Sequence, residues 1–234
     1  MRYKGIIFDL DGTLADTLED LADSMNRVLA LQGLPVHSYD AYRYFIGKGV
    51  TNLVAETLPQ EKRSEELIIQ CYELIVADYW KNYLVKTRLY DGISDVLNIL
   101  KGQGIKMAVF SNKPDGLTKK IVEALAGNDN FEMVIGAQAG LPVKPDPAGA
   151  MLISSHFGIA PGDILYLGDT DIDMMTANNA RMVAVGAQWG FRTKEDLLGS
   201  GASAVIAHPL ELLQIMGIEM PAHAYGKTPV ICKS

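Results

Sequence analysis

The sequence predicts an α/β fold, a doubly wound parallel sheet interrupted by an all-helical insert. Two observations support this prediction. From about residue 91 onward, short apolar segments alternate with segments of helical period, a pattern typical of βαβ units and a parallel sheet. Residues 15–85 show helical period throughout, and an apolar segment at residues 3–8 precedes them. The sheet therefore begins before the helical insert and resumes after it.

The first strand and the insert lie on either side of an acidic stretch at residues 9–13. Residues 3–8 have the β-branched and aromatic side chains of a buried strand. Apolar residues then recur at three- and four-residue steps over residues 14–29, which predicts a helix. No convincing strand lies between residues 15 and 85. Three further helices are predicted at residues 38–46, 49–58 and 61–83.

The segment after the insert supplies the rest of the sheet. The predicted strands are residues 106–110, 133–137, 164–167, 182–185 and 204–206. The predicted helices are residues 92–103, 114–126, 147–157, 171–180, 193–198 and 209–216. Right-handed crossovers between such strands build a doubly wound sheet. We assign residues 1–14 and 86–217 to the core, residues 15–85 to the helical insert, and residues 218–234 to a C-terminal tail without a clear period.

The composition favours a small molecule as the partner. The 234 residues carry a formal net charge of -7, which argues against binding to nucleic acid or to an anionic membrane surface. No apolar run is long enough to span a bilayer, and the N terminus lacks a signal-peptide pattern. Cys71 and Cys232 match no metal-binding spacing, so we expect reduced thiols and a cytoplasmic protein. The sequence makes no prediction of oligomeric state.

Two aspartates directly after the first strand are the main catalytic candidates. Asp9 and Asp11 come at the carboxyl end of that strand, where open α/β sheets bind their ligands. A carboxylate can attack phosphorus and form an aspartyl-phosphate intermediate, so we predict that Asp9 is the nucleophile. A second acid can protonate the departing alkoxide and later take a proton from the attacking water. We predict that Asp11 has this role.

The acidic residues also predict a metal site. Several carboxylates beside a phosphate are unfavourable unless a cation neutralises them, and oxygen ligands together with phosphate suit Mg²⁺. Asp169 follows a later strand and would complete the site with Asp9 and Asp11, whose backbone carbonyl is the expected further ligand. Asp173 lies one helical turn beyond Asp169 and could bind the ion through water or orient its neighbours.

The remaining phosphoryl oxygens need hydrogen-bond donors. The hydroxyl groups of Thr13 and Ser111 and the ammonium group of Lys144 have the appropriate chemistry, as do nearby main-chain N–H groups. We expect Lys144 also to restrain Asp9.

These residues, in this order, resemble the haloacid dehalogenase (HAD) superfamily of aspartate-dependent phosphotransferases. The four motifs of that family match Asp9-Leu10-Asp11-Gly12-Thr13, Ser111-Asn112, Lys144-Pro145, and Gly168-Asp169 with Asp173. The resemblance implies a Rossmann-like core, a helical cap inserted after the first motif, Mg²⁺ dependence and the roles assigned above. It also adds Asn112 to the residues expected to bind phosphate.

The insert looks most like the phosphoglycolate phosphatase branch of this superfamily, on residues 33–35 and 45–49. A dehalogenase would lack Asp11, and a β-phosphoglucomutase would carry a histidine within residues 14–32, where none occurs. The resemblance therefore implies hydrolysis of a small phosphorylated anionic metabolite, with 2-phosphoglycolate as the first candidate. If the loop around Lys48 reaches the site, Lys48 would pair with a second anionic group of the substrate; otherwise the loop is an interhelical turn.

Other interpretations stay open. A pyrophosphatase, a nucleotidase, and a sugar-phosphate phosphatase or mutase share this architecture, and a non-catalytic metabolite-binding protein could keep the fold alone. Aspartates after strands are also common helix caps. Thr170 or Asp171 could cap the helix that begins at residue 171, and Ser111 with Asn112 could form an ordinary turn.

Overall fold

Six parallel strands form the central sheet of the protein. The structure, a computed structural model, describes residues 2–219. The strands of this part are β1 (Gly5–Phe8), β2 (Ala15–Asp16), β3 (Arg88–Leu89), β4 (Lys106–Pro114), β5 (Met133–Ala137), β6 (Ile164–Gly168), β7 (Val183–Ala187) and β8 (Ala204–Ile206). The sheet order is β5-β4-β1-β6-β7-β8. Because β1 lies between β4 and β6, the order reverses there, and open α/β sheets bind ligands at such a point.

Ten α-helices accompany the strands in the described part of the chain. They are α1 (Leu18–Leu31), α2 (Tyr39–Phe45), α3 (Val50–Thr57), α4 (Glu65–Asn82), α5 (Ile93–Gly102), α6 (Asp115–Ala126), α7 (Ala148–Phe157), α8 (Asp171–Asn179), α9 (Lys194–Gly199) and α10 (Glu211–Met216). Within residues 2–219 no helix is both long enough and apolar enough to cross a membrane.

Both faces of the sheet are buried by helices. In β1, Ile6 and Phe8 point into one apolar cluster and Ile7 into the other, as the two-residue period of a strand requires. Helices α5, α6 and α10 cover the first face, and α7, α8 and α9 cover the second. This arrangement confirms the predicted doubly wound α/β fold.

Two details of the sequence-based prediction are wrong. Strand β4 continues through Pro114, so Ser111 and Asn112 lie in the strand and not in a turn after it. A strand also occurs where none was predicted, because β2 pairs antiparallel with β3 through Ala15–Leu89 and Asp16–Arg88. A two-residue strand is too short to show a period, so the helical pattern around it determined the prediction for these residues.

Helices α1 to α4 pack around an apolar cluster of their own, and we call them the cap helices. The largest fully buried side chains of this cluster include Tyr42, Tyr79, Met25 and Leu29. Two residues from outside residues 15–85, Leu117 and Phe191, join the same cluster. We propose that residues 15–85 form the cap and that residues 1–14 and 86–217 form the core. Of the predicted tail, all residues after 219 lie outside the described part of the chain.

A buried carboxylate in α1 binds the chain segment that returns from the cap helices to the sheet. Asp20 is 3% exposed and accepts hydrogen bonds from the main-chain N–H groups of Lys86 and Thr87 and from the Thr87 hydroxyl. These donors lie just before β3, so Asp20 fixes the return segment against the first cap helix.

Replacing Asp20 with alanine should lower the free energy of unfolding by about 3 kcal/mol, because the buried N–H and hydroxyl groups of Thr87 and the part-buried N–H of Lys86 lose their acceptor. Chemical denaturation followed by circular dichroism measures this change. The exposed Glu123→Ala substitution is the control, and we expect it to alter stability by less than about 0.5 kcal/mol. Equal stability of the two variants would contradict the role assigned to Asp20.

Candidate active site

The carboxyl ends of three adjacent strands bring the predicted site residues together. Asp9 follows β1, Ser111 lies near the end of β4, and Asp169 follows β6. Since β4 and β6 both pair with β1 in parallel, these three positions meet at one edge of the sheet. Strand pairing thus brings together residues that are far apart in the sequence.

Three buried carboxylates form the centre of the site. Asp9, Asp169 and Asp173 each present an oxygen within 4.8 Å of the other two, and their exposures are 5%, 0% and 0%. Burial, followed by the charge of Asp173, raises the pKa of Asp9 to about 7. Burial, with the charges of Asp173 and Asp9, also holds the pKa of Asp169 well above its ordinary value. Oxygen ligands so close together in a buried pocket suit a hard divalent cation.

Lys144 balances part of this negative charge. Its Nζ atom lies 2.9 Å from Asp9 Oδ1 and 2.6 Å from Asp173 Oδ1. Burial opposes the positive charge, but the attraction of Asp173 and Asp9 outweighs burial and keeps the pKa of Lys144 above its ordinary value. The second oxygen of Asp173 accepts from the N–H and hydroxyl groups of Thr170. Asp173 therefore both caps α8 and positions Lys144.

Asp169 is held by contacts on both of its oxygens. The Thr13 hydroxyl donates to Oδ1 at 2.8 Å, and the Phe191 N–H donates to Oδ2 at 2.8 Å. Gly12 has a φ of +82°, and a Cβ atom there would lie 2.2 Å from Asp169 Oδ2. Only glycine fits at this position without displacing the carboxylate. Thr13 donates its hydroxyl proton to Asp169, and its predicted binding of phosphate stays a prediction.

The Asp11 carboxylate lies outside this cluster. Its Oδ1 accepts from the Thr17 hydroxyl at 2.6 Å and from Lys113 Nζ at 2.8 Å, and its Oδ2 lies 2.9 Å from the same Nζ. Burial lowers the pKa of Lys113, but Asp11 and Tyr79 raise it by more, so the ammonium stays charged. A metal contact through the backbone carbonyl of Asp11 stays a prediction.

The two predicted phosphate-binding residues of β4 have different partners. Ser111 lines the cavity above the carboxylates, and its Oγ accepts from the Lys113 N–H at 3.2 Å, which leaves the hydroxyl proton for a ligand. The Asn112 side chain instead joins chain segments. It accepts from the Lys144 N–H and donates to the carbonyl groups of Lys144 and Gly47.

The cavity lies between the carboxylates and the cap helices, and its volume is about 30 Å³. Leu21, Ile46, Val50 and Leu53 form its apolar wall. Its polar lining residues are Asp9, Asp11, Ser111, Asn112, Lys113 and Lys144. The glycines on either side of Lys48 also line it, whereas the Lys48 side chain is exposed and does not. The structure thus does not bring Lys48 together with the other predicted residues.

Two arginines connect the cap helices to the loop after β7. Arg43 donates to the Gly190 carbonyl at 2.9 Å. Arg192 donates to the carbonyl groups of Arg43 and Ile46 and lies 3.4 Å from Asp171. We call these contacts the arginine clasp. They join the cap helices to the segment after β7, beside the cavity.

The sequence placed Lys113 in a stretch expected to converge on the site but gave it no role, and it did not indicate Thr17 or Arg192. A signal existed for Lys113, because strand alternation places it on the same side as Ser111 once β4 is extended. Thr17 and Arg192 carry no comparable signal, since their contacts depend on how the cap helices lie over the sheet.

Comparison with known proteins identifies the family. The family model for haloacid dehalogenase-like hydrolases matches residues 6–187. Phosphoglycolate phosphatases from Mannheimia succiniciproducens and Haemophilus influenzae are 32% and 31% identical to this chain, and each alignment covers 92% of the chain and 99% of the relative. A solved structure from Haemophilus somnus, described as a predicted phosphoglycolate phosphatase, is 29% identical with a TM-score of 0.85, covering 92% and 99% of the two chains. The predicted resemblance is confirmed, and the chain belongs to the haloacid dehalogenase-like hydrolases.

Proposed function

We propose that this enzyme is a phosphatase that hydrolyses 2-phosphoglycolate with the aid of Mg²⁺. The observation that carries the proposal is the buried group of Asp9, Asp169 and Asp173 around Lys144, with a second acid, Asp11, two residues after Asp9. The names of the relatives support the phosphatase class and the substrate.

The contacts of Asp9 indicate which of its atoms would react. Its Oδ1 accepts from the Leu10 N–H at 2.7 Å and from Lys144, so Oδ2 is the oxygen left to attack phosphorus. The new O–P bond forms as the bond from phosphorus to the substrate alkoxide breaks, and Asp11 gives that alkoxide a proton. Water then attacks the aspartyl phosphate, Asp11 takes its proton, and phosphate leaves.

Asp9, Asp169 and Asp173 are the residues that would hold the divalent cation. When bound, it would neutralise their charges and draw negative charge from the phosphoryl group. Lys144 keeps Asp9 oriented, and the Ser111 hydroxyl is placed to donate to a phosphoryl oxygen.

The shape of the cavity supports a small substrate. While the arginine clasp holds, the apolar wall lies directly over the carboxylates, which favours a compact substrate. With a divalent cation bound at the carboxylates, the two buried lysines of the lining, Lys113 and Lys144, would favour a ligand with more than one negative charge.

Replacing Asp9 with asparagine should reduce kcat for 2-phosphoglycolate by at least about a thousandfold, because the amide cannot form the acyl phosphate. Release of inorganic phosphate measures this loss. The variant should fold, since the raised pKa of Asp9 indicates that an uncharged group is tolerated there. The exposed Asp95→Asn substitution is the control. An Asp9→Asn protein with wild-type turnover would disprove the nucleophile assignment.

Adding Mg²⁺ to EDTA-treated protein should stabilise it more at pH 8 than at pH 6. Asp9 has a pKa of about 7 in the folded protein and an ordinary value of 3.8, so the metal-free folded state loses stability as the pH rises through this range. A cation at about one hundred times its Kd adds about 2.7 kcal/mol, which corresponds to a rise in Tm of roughly 5–10 °C. Thermal unfolding measures it.

The Asp169→Asn variant should lose most of this Mg²⁺ response, and the exposed Asp95→Asn variant should keep it. A rise in Tm that is the same in both variants, or that is larger at pH 6, would contradict the metal site.

Replacing Arg192 with alanine should lower kcat/KM for 2-phosphoglycolate about tenfold, because two hydrogen bonds from a charged group to cap carbonyls are lost. Arg192→Lys should also be impaired, since a lysine cannot present the planar fork of donors. Steady-state kinetics tests both variants against the exposed Lys194→Ala substitution. Unchanged kinetics in Arg192→Ala would show that the arginine clasp does not matter for closure.

A further inference from the structure

Lys113 is a buried cation that lines the cavity beside Asp11. Its side chain is 3% exposed, it lines the cavity, and its Nζ atom contacts both oxygens of Asp11, at 2.8 and 2.9 Å. Its other neighbour is Tyr79 of α4, whose ring centre lies 4.6 Å from Nζ. Lys113 thus lies between the acid of the core and the cap helices.

The contact with Asp11 conflicts with the work proposed for Asp11. Both oxygens of that carboxylate are bound to Lys113 and Thr17, whereas a general acid must come within hydrogen-bond distance of the departing alkoxide. If Asp11 turns toward the substrate, Lys113 is left as a buried ammonium group without its counter-ion. An unpaired buried charge is strongly unfavourable, so this turn requires another anion beside Lys113.

We propose that Lys113 binds the second anionic group of the substrate, and that this group replaces Asp11 as the counter-ion of Lys113. This inference rests on the proposed function and identifies how the same site would select its substrate. A carboxylated phosphomonoester compensates Lys113, so that Asp11 can take up a proton from solvent and give it to the departing alkoxide. A monoester without a second anion leaves Asp11 in its contact with Lys113.

The other lysines of the region do not fit this role. Lys144 is bound to Asp9 and Asp173 at 2.9 and 2.6 Å, and both partners belong to the carboxylate cluster. Lys48 is exposed and does not line the cavity. Lys113 is the buried lysine whose partner has to move during the reaction.

Tyr79 adds a second feature at the same position. Within residues 2–219, its hydroxyl is the one buried side-chain polar atom without a hydrogen-bond partner. Burial raises the pKa of this hydroxyl to about 12, so it is a neutral donor beside Lys113. A buried polar group without a partner is costly, and an anion at Lys113 would give it an acceptor nearby.

The test compares 2-phosphoglycolate with ethyl phosphate, in which a methyl group replaces the carboxylate. The ratio of the two kcat/KM values should fall tenfold or more in Lys113→Met, because a hydrogen-bonded charge pair with the substrate is lost. Lys113→Arg should retain most of the preference, since it keeps the charge. The exposed Lys101→Met substitution should leave the ratio unchanged.

A binding measurement separates substrate recognition from the positioning of Asp11. In the Asp9→Asn background, calorimetry should show at least tenfold weaker binding of 2-phosphoglycolate on Lys113→Met substitution, with little change for ethyl phosphate. A purely structural role would weaken both ligands alike.

The possible outcomes distinguish the two proposals. A wild-type preference for 2-phosphoglycolate that persists in Lys113→Met, or that is lost in Lys48→Met instead, overturns the role of Lys113 and leaves the phosphatase proposal intact. A wild-type enzyme that hydrolyses both esters equally well overturns the proposed substrate and this inference together.

Discussion

The site depends on the mutual repulsion of carboxylates that the fold buries together. Asp9, Asp169 and Asp173 have oxygens within 4.8 Å of one another, and Asp11 lies beside them, paired with Lys113. These four carboxyl groups meet two ammonium groups, so full ionisation would leave an excess of negative charge, and burial together with this repulsion raises the pKa values of Asp9 and Asp169. The surrounding structure has to hold these groups in place against that repulsion. This repulsion lowers the stability of the folded protein, and a bound cation would restore that stability.

Much of the fold and part of the site could be predicted from the sequence, because both depend on local patterns. Apolar segments of strand length identified all six strands of the sheet, and parallel pairing then placed Asp9 and Asp169 at one edge. The exact end of β4 could not be predicted, since its last residues are polar and lack the apolar character of a strand. That uncertainty concealed Lys113, whose contact with Asp11 spans 102 positions of the chain.

The contacts of the cap helices could not be predicted from the sequence, for a different reason. Arg192 binds main-chain carbonyl groups of residues 43 and 46. Every residue has such a carbonyl group, so the residue types at these positions do not reveal the contact. Lys48 was a reasonable candidate because a lysine between glycines often belongs to a binding loop. The glycines on either side of Lys48 do line the cavity, but the Lys48 side chain is exposed. Only the three-dimensional structure shows whether such a side chain faces the cavity or the solvent.

One short segment, Gly190 to Arg192, joins the carboxylate cluster to the cap helices. The Phe191 N–H binds Asp169, the Gly190 carbonyl accepts from Arg43, and Arg192 binds the cap carbonyls. The same segment therefore contacts both the carboxylate that would bind an ion and the cap helices. Thermodynamic linkage makes such coupling reciprocal. If an ion at Asp169 changes the equilibrium constant for closure by some factor, closure changes the affinity for that ion by the same factor. If a bound ion favours closure, an open enzyme would release that ion more readily than a closed one.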